Sequence, residues 1–211
     1  MFIPVTGRRI PRRIAQLVLG LILFGSGIGL VVQSQLGNPA WDVLHQGLAK
    51  RFDGSWSTIG NWTVIISFVV LLLWIPLRQR LGLGTVLNAI LIGVTVDVLI
   101  RFVEPGESLA VQLVLLSLGV VLVGIGSGFY IGAHLGPGPR DGLMTGIAAL
   151  GPPIWSARLV IELSVLVAGW ILGGTVGIGT VVFAFAIGPL VQFFLRHLSL
   201  DIEPAAAALA D

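Results

Sequence analysis

Long apolar runs, divided by short polar breaks, dominate this chain. Six stretches, at about 14–32, 61–77, 85–103, 111–133, 156–172 and 181–199, carry few charges. A helix of about 20 apolar residues crosses a hydrocarbon core about 30 Å thick, so each run predicts a membrane helix. Two intervening segments, Ser34 to Gly60 and Gly136 to Trp155, are polar and broken. In the first, proline at 39 suits the opening turn of a helix. A short helix from Pro39 to Phe52 would be about 21 Å long at 1.5 Å per residue, too short to cross. It reads as amphipathic: Asp42, His45, Gln46, Ala49 and Lys50 share one face, and Trp41, Leu44 and Leu48 another. In the second, Leu135-Gly136-Pro137-Gly138-Pro139-Arg140-Asp141-Gly142 must break the helix, leaving Asp141 at or near the start of a short segment ending at Leu150.

Composition identifies the solvent. Of 211 residues, 55% are hydrophobic and 10% charged, with a mean hydropathy of +1.00. A soluble domain carries about 25% charged residues, so the surface here must face lipid. The length suits one membrane domain, 1–211. The 29 glycines fit closely packed membrane helices. Without cysteine there is no disulfide, thiol chemistry or cysteine metal site. The pI near 9.9 does not indicate nucleic acid, because the basic residues sit at the ends of apolar runs. Arg8, Arg9, Arg12 and Arg13 precede the first run as in a signal peptide. That run is too long for one and no A-x-A site follows, so a retained first helix is expected. With the N-terminus inside, Arg8, Arg9, Arg12, Arg13, Arg78, Arg80, Arg140 and Arg196 lie inside, and Lys50, Arg51 and Arg101 outside. Eight against three predicts cytoplasmic N- and C-termini in the cell membrane. Residues 200–211 read as a disordered tail.

The chain repeats itself. Residues 19–49 match 118–148 at an offset of 99: Gly25, Gly27 and Gly29 with Gly124, Gly126 and Gly128, Leu36-Gly37 with Leu135-Gly136, and Asp42 with Asp141. The offset then becomes 95: Gly82-Leu83-Gly84-Thr85 matches Gly177-Ile178-Gly179-Thr180, and Ile92-Gly93 matches Ile187-Gly188. Each copy, about 14–103 and 111–199, holds three runs. An odd number makes the second copy enter the membrane from the opposite side. The expected fold is therefore all-α and transmembrane: about six helices as two three-helix repeats in inverted topology, with short broken or re-entrant helices after helices 1 and 4.

Two placements of the short segments remain open. Both could lie at opposite membrane surfaces, each aspartate capping a helix. Alternatively both dip inward and meet near the pseudo-two-fold axis, where Asp42, Asp141 and Arg140 would line a polar cavity. Within the long runs, Asp97 and Arg101 are four apart, as are Arg158 and Glu162, the spacing of facing residues on a helix. Such pairs either neutralise themselves or mark function. Glu162 is the better functional candidate, nearly two turns deep. Neither pair is duplicated: Asp97 matches Gln192 and Glu162 matches Ser67. Asn88 follows Gly84-Thr85 by one turn, and Thr85 and Thr180 read as helix caps. His45 and His134 are too isolated for a metal site. The glycines at 25 and 29, and at 124, 128 and 132, read as packing stripes. No catalytic motif, nucleophile–base set or cofactor fingerprint is visible, so no enzyme and no cofactor are expected.

Trp41-Asp42-Val43-Leu44-His45-Gln46-Gly47-Leu48, Gly84-Thr85-Val86-Leu87-Asn88, Gly136-Pro137-Gly138-Pro139-Arg140-Asp141-Gly142-Leu143-Met144 and Gly177-Ile178-Gly179-Thr180 carry a likeness. Over about residues 15–198 the chain resembles the YczE-like branch of the YitT-related bacterial membrane proteins. Ala40 stands where that family often has proline directly before Trp-Asp. The resemblance implies a bacterial cytoplasmic-membrane protein and no particular substrate. From the residues, the leading expectation is a small secondary transporter or facilitator of a small polar solute. Asp42, His45, Asn88, Arg140, Asp141 and Glu162 are its candidate site residues, with Asp97, Arg101 and Arg158 as charge pairs. The alternatives are a membrane scaffold or accessory subunit for a partner protein, and a substrate-capturing subunit of a larger transporter. The bilayer is the main partner, and six short helices shield a polar cavity poorly, which favours a homodimer.

Overall fold

A computed structural model describes residues 10–200. Arg8, Arg9 and the expected tail from Asp201 onward lie outside the described residues. Among those described, eight helices follow in order: α1 (Ile10–Ser34), α2 (Ala40–Arg51), α3 (Ile59–Leu73), α4 (Leu83–Phe102), α5 (Leu109–Gly132), α6 (Pro139–Ala148), α7 (Ile154–Ile171) and α8 (Ile178–Leu198). Helices α1, α4, α5, α7 and α8 are long and apolar enough to cross a membrane. Helix α3 has 15 residues, about 22 Å at 1.5 Å per residue, and turns from Trp74 onward extend its apolar stretch. Five of the six expected spans are thus helices long enough to cross a membrane, and the second, α3, is a shorter apolar helix.

Helices α1 and α5 cross at the centre and share the largest contact. Gly20 faces Gly126 and Gly27 faces Gly119. A Cβ on Gly126 would fall 2.5 Å from the Phe24 backbone nitrogen, so only glycine allows this approach. The glycine stripes lie on the flanks. Gly25 and Gly29 receive Thr95 and Leu99 of α4, and Gly124 and Gly128 receive Leu190 and Phe194 of α8. The ends of the crossing helices are tied down too. The Arg13 guanidinium donates to the carbonyls of Ala133 (3.0 Å) and His134 (2.8 Å), at the C-terminus of α5. Gln33 donates to the carbonyls of Ile100 and Val103, at the end of α4.

After α1 and after α5 the backbone turns in the same way. Gln35 and His134 have φ of 57° and 52°, and Gly37 and Gly136 have φ of 114° and 117°. A left-handed residue ends each helix and leaves a carbonyl free. The Gly179 N–H donates to Leu36 O (2.7 Å), and the Gly84 N–H donates to Leu135 O (2.7 Å). Each break is therefore bound by the G-x-G-T stretch of the other half. The N-caps are Gly82 and Gly177 rather than the threonines expected there; Thr85 and Thr180, three residues on, accept the N–H groups of Gly82 (3.1 Å) and Gly177 (3.2 Å) and so close the first turns of α4 and α8.

The halves are packed differently around α3 and α7. Gly60 of α3 sits backbone to backbone against Gly93 of α4, and Asp97 accepts the Gly60 N–H (2.8 Å) and the Thr58 hydroxyl (2.5 Å). The matching positions are Trp155, Gly188 and Gln192. Helix α7 does not pack along α8; it leans on α2, where Gly169 meets Leu44, and Gly188 has nothing within 4 Å. Gly126→Ala should therefore lower the melting temperature in detergent by the equivalent of 1–3 kcal/mol, roughly the cost of overpacking. Gly188→Ala should shift stability by less than about 0.5 kcal/mol. Equal effects would refute the close crossing.

Candidate functional site

The two short helices begin close to one another. Pro39 precedes α2 and Pro139 opens α6, each fixing φ where a helix must start. Asp42 lies in the first turn of α2, and Arg140 and Asp141 lie in the first turn of α6. Neither aspartate makes a side-chain cap; Pro39 and Gly138 occupy the capping positions. The expected capping by the two aspartates is thereby corrected. The Asp42 carboxylate is instead buried, at 1% exposure, and faces Arg140 Nη2 at 3.8 Å. The Arg140 guanidinium also lies 5.0 Å from the centre of the Trp41 ring, within cation–π range. Trp74 holds the start of α6 in place, its indole N–H donating to Pro139 O (3.0 Å).

His45, fully buried one turn after Asp42, completes the cluster. Its Nδ1 is 3.1 Å from Asp42 Oδ1 and 2.9 Å from Thr63 Oγ1 of α3. The Thr63 hydroxyl proton is given to Ile59 O (2.9 Å). Both partners of Nδ1 are then acceptors, which puts the imidazole proton on Nδ1 and leaves Nε2 with a lone pair. Among the described residues, three buried side-chain atoms have no partner: Asp42 Oδ2, His45 Nε2 and Trp41 Nε1. Arg140, a quarter exposed, donates no hydrogen bond among the described residues. Native proteins satisfy nearly all buried polar groups, with protein or with ordered water, so such a concentration on one turn and a half of helix leaves room for a water, a ligand or a proton.

The other predicted residues are spread more widely. Asp141 is exposed and accepts the hydroxyl of Tyr130, the sole tyrosine (2.7 Å). Asn88 borders it across Gly138, where a Cβ would be 3.2 Å from both Asn88 Nδ2 and Asp141 Oδ2. Glu162 is not brought to the cluster. It accepts from Arg158 Nε (2.9 Å), the self-neutralising arrangement, on the open side of α7. Asp97 and Arg101 do not pair, because the N-terminus of α3 offers Asp97 two fixed donors. A cavity of about 340 Å³ opens between α2, α3 and α4, bordered by Gln46, Lys50, Thr58, Asp97 and Arg101. It reaches Gln46, the neighbour of His45. Thr63, Trp74 and Tyr130 border the site although no motif marks them, and Trp41, which stands in the Trp-Asp stretch, reads from the sequence only as part of an apolar face.

Arg140→Gln should strand a buried carboxylate and cost about 3 kcal/mol. Adding Asp42→Asn should recover at least about 1 kcal/mol of that loss in thermal unfolding. Purely additive losses would mean that the two side chains do not interact.

A family of unknown function, DUF6198, matches residues 11–196. An "Uncharacterized protein" of Haemophilus influenzae is 43% identical over 191 residues, covering 89% of this chain and 85% of its own length. The "Uncharacterized membrane protein YczE" of Bacillus subtilis is 37% identical over 180 residues, covering 83% and 82%. The "Uncharacterized protein YyaS" of the same organism is 30% identical, covering 84% and 89%. No solved structure matches the chain. With a family match over nearly its whole length, and these relatives, the chain belongs to the YczE-like membrane proteins of the DUF6198 family.

Proposed function

We propose that this protein is a small secondary transporter or facilitator of a small polar solute, rather than an enzyme. The observation that carries the reading is the meeting of Asp42 and His45, from the first half, with Arg140, from the second, around three unpartnered buried polar atoms. Polar groups inside a membrane protein are costly, and they persist where a solute or ion passes. The two halves are repeats in inverted topology, related by a pseudo-two-fold axis in the membrane plane. The reciprocal contacts of Gly20 with Gly126 and of Gly27 with Gly119, and the exchanged hydrogen bonds at the breaks, support this. Helices α2 and α6 then enter from opposite faces and meet at their N-termini, as half-helices do in transporters of this architecture. Both chain ends are cytoplasmic and the membrane is the bacterial cell membrane. Asp141 and Asn88 form the edge of the site on the α6 side. Glu162 and Arg158 act away from it.

A second reading, a membrane scaffold or accessory subunit, is favoured by the open face of α8. Gly188 and Gln192 lie there uncovered, while the matching Gly93 and Asp97 are covered by α3. A helix of a partner, or of a second copy, would occupy that face.

Two measurements test these statements. Cysteines replacing the exposed loop residues Asp53 and Leu150 should react with an impermeant thiol reagent from opposite sides, Asp53 from outside and Leu150 only from inside. Labelling of both from one side would end the inverted arrangement. Thermal stabilisation of the purified protein, screened against amino acids, nucleobases, vitamins, organic acids and inorganic ions, should yield a ligand. At 100 times its Kd, that ligand adds about 2.7 kcal/mol, and Asp42→Asn should abolish the gain. No stabilising ligand, together with full cellular activity of Asp42→Asn, would favour the scaffold.

A further inference from the structure

We infer that the site takes a small monovalent anion together with one proton. The inference rests on the transport reading above and names its substrate class and coupling ion. Two features select an anion. The first turns of α2 and α6 converge on the gap between Asp42 and Arg140, and the N-terminus of a helix carries positive partial charge and free N–H groups. Within that gap the guanidinium of Arg140 has every N–H uncommitted, since its 3.8 Å separation from Asp42 is too long for a hydrogen bond. The indole N–H of Trp41 is a further buried donor without an acceptor.

Charge balance then supplies the proton. With His45 neutral, Asp42 and Arg140 sum to zero. An anion alone would leave one net negative charge in a poorly solvated place, which is costly. An anion with a proton leaves the sum unchanged. Two atoms stand ready for that proton, Asp42 Oδ2 and His45 Nε2, both buried and both without a partner. An O–H bond forms at the first or an N–H bond at the second, no bond of the solute breaks, and the same bond is broken when the anion leaves. The neighbouring elements do not upset this sum. Helix α3 contributes Thr63 and no ionisable group to the cluster. Arg158 and Glu162 of α7 neutralise each other. Asp141 of α6, exposed and bonded to Tyr130 of α5, lies outside the buried set. Lys50, at the far end of α2, is bound to Gly173 O. A cation would meet Arg140 and both helix N-termini, with no proton available to leave in exchange.

The test uses purified protein in liposomes loaded with a pH-sensitive dye, with protein-free liposomes as the baseline. Nitrate, methanesulfonate or lactate is added outside. Wild type should acidify the interior at least ten-fold faster than the baseline with one of these anions. The rate should not change when a potassium ionophore clamps the membrane potential. Asp42→Asn combined with His45→Gln, confirmed as folded by gel filtration and melting, should lose the acidification. It should admit isotopically labelled anion only under an inside-positive potential. Anion entry into wild type that follows the potential without acidification would overturn the proton. Uptake of urea, glycerol or ammonium with none of the anions would overturn the anion and leave the transport reading standing. No movement of any solute would overturn both.

Discussion

A backbone that breaks in an apolar medium must find its hydrogen bonds within the protein. Here each break finds them in the other half of the chain. Leu36 and Leu135, left without helical partners by the turns at Gln35 and His134, receive the amides of Gly179 and Gly84. No water is needed to complete these carbonyls. The same two bonds seat the starts of α8 and α4 against the breaks, and so determine where α2 and α6 can begin. The glycine crossing of α1 and α5 is what brings each break within reach of its acceptor's partner.

The charged cluster follows from that placement. Asp42 and Arg140 belong to different halves and share a gap because both short helices start beside a bound break. What surrounds them differs between the halves. Thr63, which shares the His45 nitrogen, is matched by Arg158, and Gly60, which lets α3 lie against α4, is matched by Trp155. The two breaks are bound in matching ways, yet the site between them is asymmetrical, with one buried carboxylate and one half-buried guanidinium rather than two equal aspartates.

Hydrophobic runs made the long helices legible, because lipid exposure leaves little freedom in where polar residues sit. The first short helix was legible from Pro39 and the second from the break before Asp141. The two G-x-G-T stretches were legible as repeats of one another, but their bonds to the breaks of the other half were not, because nothing local in the sequence names a partner so far along the chain. The site was legible only in part. Asp42, His45 and Arg140 were visible as polar residues in broken segments. Thr63 and Tyr130 were not, since a single hydroxyl in an apolar run has no periodicity to announce its partner. Local spacing succeeded for Arg158 and Glu162, which have no competing partners. It failed for Asp97, where two donors 37 and 39 residues away in sequence are better placed than Arg101. For the aspartates of the short helices spacing left a cap and a cavity lining open; proline and glycine hold the capping positions and leave the carboxylates free for other contacts.

The exchanged bonds also set a condition on biosynthesis. Gly179 is made 143 residues after Leu36, so at ordinary elongation rates the first break waits on the order of ten seconds for its donor. During that interval α2 has neither the loop before α8 that binds Asn38 nor the α7 surface that receives Gly47. The emerging first half must then be sheltered by the insertion machinery or by lipid headgroups. A chain truncated before α8 has no Gly179 amide, and its Leu36 carbonyl must find a donor elsewhere.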